Sequence, residues 1–395
     1  MRIGLNLLHA LPEIGGGWNY IESLVKALGD YGENHTYIAF VHGESSCLVP
    51  NKPNFTKVAV RLNAKSRILR IAYESTALQI LAKRYSLDCM HWFGCTMGLY
   101  NSTPGVVTVY DLHAFSPFSR NTAWLKRVYL QKMIGHAGRR ASMLLPMSQI
   151  TAADLTKYIG VPEERMRVIP AILEPGFQRS EVRDVEQFRN RFGLPEHFWA
   201  YVAHLYPHKN HVKLLEAYSQ LKRNGVNPWK MILRGNPAGG EEQVYRTIKE
   251  LELADDIIWL PRLTQGDMAN LYSAASGLVF PSKYEGGGIP VLEALGCGCP
   301  IIAADLPSLR EFGGDAVSYF NPDSSAAIAE SMKQFQSSNE NREKRRQIGL
   351  ARAEGFRAKQ IIPRLIESYE CCRKDDSSRH EPRKEIRAAG CVGRN

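Results

Sequence analysis

The sequence runs to 395 residues, 44% of them hydrophobic and 23% charged, as expected for a soluble globular chain of two ordinary-sized domains. No apolar run approaches the length of a membrane span, and the short apolar piece behind Met1-Arg2 reads as a first strand, not a signal peptide. The net charge of +10 favours anionic partners such as nucleotides, phospholipids or nucleic acid, without choosing among them.

Eight cysteines lie at irregular spacings with no C-x-x-C pair, so neither a zinc site nor a disulfide framework is expected. A reduced, cytoplasmic setting follows. In chain order, Arg2 to Leu8 reads as strand one. Gly15, Gly16 and Gly17 come next, then a helix from Trp18 to about Leu28 with Ile21, Leu24, Val25 and Leu28 at helical spacing. A strand, glycines and a helix describe a turn at the ligand edge of a sheet, although no G-x-G-x-x-G dinucleotide fingerprint is present. A plain turn is the simpler alternative. Tyr37 to Val41 reads as a strand, Ser66 to Arg84 as one basic helix, and Asp88 to Phe93 as a strand ending at Gly94. The strand Val106–Tyr110 delivers Asp111-Leu112-His113 to its C-terminal end, where open α/β sheets bind ligands. A helix over Ala123–Ala141, a strand over Met143–Met147, a helix capped by Ser148 and a strand over Arg165–Ile169 complete this half.

Periodicity is lost after Pro170, and Pro170, Pro175 and Gly176 mark a linker. A second α/β series opens at Trp199–His204, with strands expected near Lys230–Arg234, Ile257–Leu260, Leu278–Phe280 and Pro300–Ala303. This alternation argues for parallel, doubly wound sheets. A last helix is expected from about Phe356 to Cys372. Residues 373–395 are polar and mixed in charge and read as disordered.

The densest stretch is Phe280 to Ala304. A helix is expected to begin at Pro290, whose fixed φ suits a first helical position, and Gly296 and Gly298 end it. Gly286, Gly287 and Gly288 before it let a ligand approach the backbone, and free N–H groups of a first helical turn attract phosphate. Glu285 on the loop and Glu293, placed in the first helical turn, supply acceptors for hydroxyl groups. A nucleotide-sugar offers both phosphates and hydroxyls. The bland alternative has Glu293 complementing the helix dipole and the glycines making a turn.

The pattern P-S-x-x-E-G-x-G-x-P-x-L-E-A-x-x-x-G-x-P, read from Pro281 to Pro300, resembles the signature of retaining glycosyltransferases of the GT-B fold, family 4. The resemblance extends to about residue 372. It implies an α/β architecture of two Rossmann-like, doubly wound domains facing a central cleft. Residues 1–175 would bind the acceptor and 176–355 the nucleotide-sugar, with the helix 356–372 returning to the first domain. The implied reaction moves a hexose from a GDP- or UDP-linked donor to a glycan or lipid-linked glycan, in surface polysaccharide or lipopolysaccharide synthesis. No cofactor or metal is implied beyond the donor itself.

By the same resemblance Gly16, Gly17, His204, Lys209, Arg234, Glu285, Gly286, Gly287, Gly288, Ile289 and Glu293 bind the donor, with Lys209 on the diphosphate. Asp111, His113 and Glu285 are the catalytic candidates; whether Asp111 or His113 stands nearer the anomeric centre is left open. Three positions depart from the family pattern. Gly287 stands where an aromatic is common, His204 where arginine is common, and Tyr110 where histidine is usual.

No D-x-D motif occurs, which argues against the metal-dependent single-sheet transferases. Arg120, Lys126, Arg127, Lys132, Arg139 and Arg140 include no acid among them but scatter around the helical wheel. A solvated helix is the plain reading. Peripheral association with the inner face of the cell membrane stays open through the domain's overall field, and nucleic acid is not an expected partner. The rival readings are an epimerase or glycogen-type phosphorylase or synthase of the same fold, and a non-catalytic nucleotide-sugar or nucleic-acid binding module.

Overall fold

A computed structural model describes residues 1–12, 16–121 and 123–379. The first half contains β1 (Arg2–Asn6), α1 (Gly16–Tyr31), β2 (Thr36–Val41), β3 (Phe55–Ala59), α2 (Arg67–Ser75), α3 (Ala77–Arg84), β4 (Cys89–Trp92), β5 (Gly105–Val109), α4 (Trp124–Arg140), β6 (Met143–Pro146) and α5 (Gln149–Ile159). After α6 (Val182–Phe192), the second half contains β7 (Phe198–Val202), α7 (His211–Arg223), β8 (Lys230–Arg234), α8 (Glu241–Glu250), β9 (Ile257–Trp259), α9 (Gln265–Ala274), β10 (Gly277–Phe280), α10 (Ile289–Gly296), β11 (Ile301–Ala304), α11 (Pro307–Gly313) and β12 (Val317–Phe320). The helices α12 (Ser325–Ser337), α13 (Asn339–Ala353) and α14 (Ala358–Arg379) close the described chain.

Both sheets are parallel and six-stranded, ordered β3-β2-β1-β4-β5-β6 and β9-β8-β7-β10-β11-β12. The two orders are the same when read by position. In each, the chain reverses direction across the sheet between the first and fourth strands, β1/β4 and β7/β10. Loops leaving the C-terminal ends of strands at such a switch point part and leave a crevice for a ligand. The fold therefore supplies two crevices, one per sheet, and their lining residues meet in one cleft. Strands β1, β5, β6, β7, β10 and β11 are buried along all or nearly all of their length, as parallel strands covered by helices on both faces must be.

Several local expectations are corrected. The helix expected over Ser66–Arg84 is broken at Thr76, which has φ −128° and ψ −86°. Its hydroxyl donates to the Ala72 carbonyl at 2.6 Å, a back-bond that competes with the helical ladder. Arg165–Ile169 forms no strand. A single bridge, Met166 to Leu144, follows the turn Glu163–Arg165, and the Arg167 and Ile169 amides donate to the carbonyls of Leu144 and Pro146 without making a ladder. Strands β3 and β12 were not anticipated. The linker expected at Pro170, Pro175 and Gly176 packs into the fold, with Ala171, Ile172, Leu173 and Phe177 all buried.

The helix α14 packs on α1, β4 and β5 of the first sheet. Its Tyr369 hydroxyl lies 2.7 Å from Nδ1 of buried His91 on β4. Its backbone stays helical seven residues past Cys372, the expected end, to Arg379; the rest of the expected disordered tail, 380–395, lies outside the described residues.

Candidate active site

The cleft between the sheets encloses about 1850 Å³. On the second-domain wall, β10 ends in buried Phe280 and the chain enters the loop 281–288. Three partners fix this loop. Asn210, in the left-handed region at φ 64°, donates from Nδ2 to the carbonyls of Pro281 (3.0 Å) and Pro322 (2.8 Å). The Lys283 amide donates to the His208 carbonyl at 2.8 Å. The third partner comes from the other domain: Ser148 Oγ donates to the Gly286 carbonyl at 2.7 Å.

Close approach explains two of the three glycines. A Cβ on Gly286 would stand 2.3 Å from the Tyr110 carbonyl oxygen, and one on Gly287 would stand 2.5 Å from the Met147 sulfur. Gly288 caps α10 at φ 67°. The helix starts one residue earlier than expected, with Ile289 first and Pro290 second, so Glu293 falls in its second turn.

Glu293 is half-buried at the cleft wall, and the Tyr272 hydroxyl donates to its Oε2 at 3.0 Å. Burial drives its pKa up to about 8, more than Tyr272 and Arg234 can pull it down. Glu285 behaves differently. Its Oε1 accepts from Lys209 Nζ at 2.7 Å, and both side chains are largely shielded from solvent. The Lys209 ammonium also lies 5.9 Å from the Phe280 ring centroid. Lys209 thus stands at the loop mouth with one carboxylate partner, and an ammonium there can reach a phosphate as a point charge.

His204 accepts the Asn236 amide at Nδ1 (3.0 Å), which leaves the ring proton on Nε2. Burial, then Arg234 and Lys209, lower its pKa, so it serves as a neutral donor. Arg234 ends β8, and burial lowers its pKa from the ordinary arginine value.

On the facing wall, Asp111 and His113 share one turn. Asp111 Oδ1 accepts the His113 amide at 2.8 Å. The His113 ring lies 5.4 Å from Tyr284 and 5.2 Å from His208, centroid to centroid. Burial is the main cause that lowers its pKa. Tyr110, at the family's usual histidine position, packs edge-on against Tyr20 at 5.2 Å.

Gly16 and Gly17 line the same cleft. They form the first turn of α1 and not a loop before it, and a Cβ on Gly16 would stand 3.9 Å from Ile289 Cδ1. Every site residue named from the sequence lines this one cleft. Among the described residues, no three His, Cys, Asp or Glu side chains gather so as to hold a metal ion.

Sequence reasoning missed Tyr272, which holds Glu293, and Tyr284, which accepts the Leu112 amide at 3.1 Å across the cleft. It also missed His208 and Glu174, both of which line the cleft. Tyr284 lies inside the signature stretch itself and was within reach; the others carry no local signal. Ser148 was read only as a helix cap. It is that, accepting the Thr151 amide at 3.2 Å, and it also tethers the glycine loop.

Two family profiles match the chain, "Glycosyltransferase Family 4" over residues 14–174 and "Glycosyl transferases group 1" over residues 182–352. The chain belongs to the group 1 glycosyltransferases. Among curated relatives, the O-antigen chain mannosyltransferase B of Escherichia coli is 25% identical over 242 residues, 61% of this chain. That match spans 64% of the relative, less than two thirds of its length. Sucrose-phosphate synthase from Thermosynechococcus elongatus superposes with a TM-score of 0.76 at 18% identity, covering 96% of this chain and 100% of that one. Anabaena HepE in complex with UDP-glucose superposes at 0.70 and 17% identity, covering 96% and 100%. The fold of this group 1 member is therefore GT-B, two Rossmann-like domains.

Proposed function

We propose that the protein transfers a hexose from a GDP- or UDP-linked donor to a glycan or lipid-linked glycan acceptor, with retention at the anomeric carbon and without a divalent metal. The observation that carries this reading is the Lys209–Glu285 pair. It stands at the mouth of the glycine loop and lines the cleft opposite Asp111 and His113. Lys209, Arg234, the Nε2–H of His204 and the amides of the glycine loop form a cationic, donating wall for a diphosphate. Glu285 faces the transferred sugar and Glu293 the ribose hydroxyls.

In the reaction the bond from the anomeric carbon to the diphosphate oxygen breaks, and the negative charge passes onto the diphosphate. The acceptor oxygen attacks from the face the diphosphate leaves, and its proton passes to the departing oxygen. Donors fixed in advance around developing charge contribute most to such a step. A role in surface polysaccharide assembly is supported by the relative named as an O-antigen chain mannosyltransferase.

The test is a screen of UDP-, GDP-, ADP- and TDP-hexoses, with and without glycan acceptors and with EDTA. Transfer that persists in EDTA and retains the donor's anomeric configuration is expected. Inversion, or activity abolished by EDTA and restored by magnesium or manganese, overturns the corresponding part. Epimerisation of the donor alone would make the protein an epimerase instead.

A further inference from the structure

Thirteen large apolar or aromatic side chains are exposed among the described residues, and Phe118 (37%) and Tyr206 (44%) are the two that line the cleft. Scattered exposed rings need no explanation, but rings on opposite walls of one cleft do. Phe118 stands on the first-domain wall, in the short turn Pro117–Asn121. The buried Ser119 hydroxyl pins that turn, donating to the carbonyls of Ser116 (2.7 Å) and Ala114 (3.3 Å). Tyr206 stands on the second-domain wall, just before the turn Pro207–Lys209, and its carbonyl accepts the Lys209 amide at 2.9 Å.

Two further rings join them. The Tyr284 ring lies 6.1 Å from Phe118, the His208 ring 6.5 Å from Tyr284, and the Tyr206 ring 5.4 Å from His208, centroid to centroid. His208 and Tyr206 are nearly parallel, at 14°. The four rings make one row across the cleft. Its half-buried middle is held in place: the Tyr284 hydroxyl accepts the Leu112 amide, and the His208 carbonyl accepts the Lys283 amide. Its two ends are open to solvent. The row itself is uncharged, because burial and then Lys209 lower the pKa of His208 to about 3.

The position of the row says what it can hold. His208 directly precedes Lys209, and Tyr284 directly precedes Glu285, the ion pair at the mouth of the glycine loop. The His113 ring lies within 5.4 Å of both middle rings. The groups assigned to the diphosphate all belong to the second domain, whereas the row ends on the first, at Phe118. The face of an aromatic ring is partly negative and attracts the partly positive C–H groups of a neighbour. A pyranose ring offers such C–H groups on a face and hydroxyls around its rim. A phosphate would instead need cations or N–H donors, which the rings do not supply.

We propose that Phe118, Tyr284, His208 and Tyr206 form the acceptor subsite, a row of rings on which the C–H face of a neutral pyranose stacks. A sugar so seated presents its rim hydroxyls beside Asp111 and His113. Calling this sugar the acceptor rests on the proposed transferase function; the sugar binding does not.

Saturation-transfer NMR on the full chain tests the binding without any donor, with methyl α-mannopyranoside and methyl α-glucopyranoside as probes. At least one of them is expected to take up saturation at its ring C–H protons. Mannitol, which has the hydroxyls and no ring face, should not displace it. Phe118→Ala and Tyr206→Ala should each weaken the binding about ten-fold, the order of one stacked aromatic contact. Phe118→Tyr, which keeps the ring, should bind as the parent does. Both side chains are exposed, so the variants should melt like the parent. In turnover the two alanine variants should raise the acceptor KM and leave the donor KM unchanged. No binding of either glycoside, equal binding in parent and alanine variants, or a rise confined to the donor KM overturns the proposal; in the last case the rings serve the donor. Glycoside binding on the row of a chain that transfers no sugar leaves the subsite standing and removes the transferase reading. Sugar transfer with an unchanged acceptor KM in both alanine variants does the reverse.

Discussion

Glu293 is a half-buried carboxyl with the Tyr272 hydroxyl as a donor, and its partial withdrawal from solvent favours its neutral form. Its pKa in the folded chain, about 8, stands well above the ordinary glutamate value of 4.5. A raised folded pKa gives stability that is present below the unfolded value and is lost as pH rises through the folded one. The protein is therefore expected to lose on the order of a few kcal/mol at this group between about pH 4.5 and 8. Glu293→Gln keeps an acceptor for Tyr272 and removes the titration. The variant should melt higher than the parent at pH 8, with the difference vanishing towards pH 4.5; equal melting curves at pH 8 would contradict the assignment. Ligand hydroxyls donating to this group favour the carboxylate, so donor affinity should rise with pH and level off above about 8. Calorimetry in buffers of different ionisation enthalpy should show proton release on binding. Lys209→Ala removes the cation at the loop mouth. A loss of about 100- to 1,000-fold in turnover is expected, as for other preorganised donors. A loss confined to KM would place Lys209 in ground-state binding only.

At the scale of elements, the long apolar strands and the stretch Phe280–Ala304 were legible because burial on both faces and glycine–proline punctuation write themselves into the residues. What was illegible had a physical reason in each case. β3 is a half-exposed edge strand whose residues Thr56 and Lys57 face solvent, so it shows no apolar run. The break at Thr76 depends on one hydroxyl, in a segment with an otherwise unbroken helical pattern. The role of Tyr272 depends on α9 lying beside α10, which no local pattern states. The pairing of Tyr369 with His91 spans 278 residues and is equally silent in sequence. It carries a prediction. Tyr369→Phe leaves the ring packing and strands the buried Nδ1 of His91, at a cost of about 1–3 kcal/mol. Chemical denaturation should show that loss, with little change in turnover.

At the scale of the molecule, the two sheets were legible from the alternation of strands and helices, but their mutual placement was not. That placement rests on contacts made after folding. The two crossovers run side by side: the Leu173 amide donates to the Phe356 carbonyl at 2.9 Å, and Arg357 donates to the carbonyls of Glu174 and Phe177. Across the cleft, Ser148 holds Gly286 and the Gln149 amide donates to the Glu311 carboxylate at 2.7 Å. Ser148→Ala removes one tether and one helix cap, each worth about 1 kcal/mol. Small-angle scattering should show a larger radius of gyration for this variant, and donor KM should rise; an unchanged radius would mean that the tether does not hold the domains together.

The Gln149 amide belongs to one domain and the Glu311 carboxylate that accepts it to the other. Whenever the domains part, that amide loses its acceptor; whenever they meet, it is hydrogen-bonded again. Deuterium uptake at this single peptide group is thus a built-in gauge of the opening of the cleft. Its rate with and without nucleotide would give the change in the opening equilibrium, with no label attached to the protein.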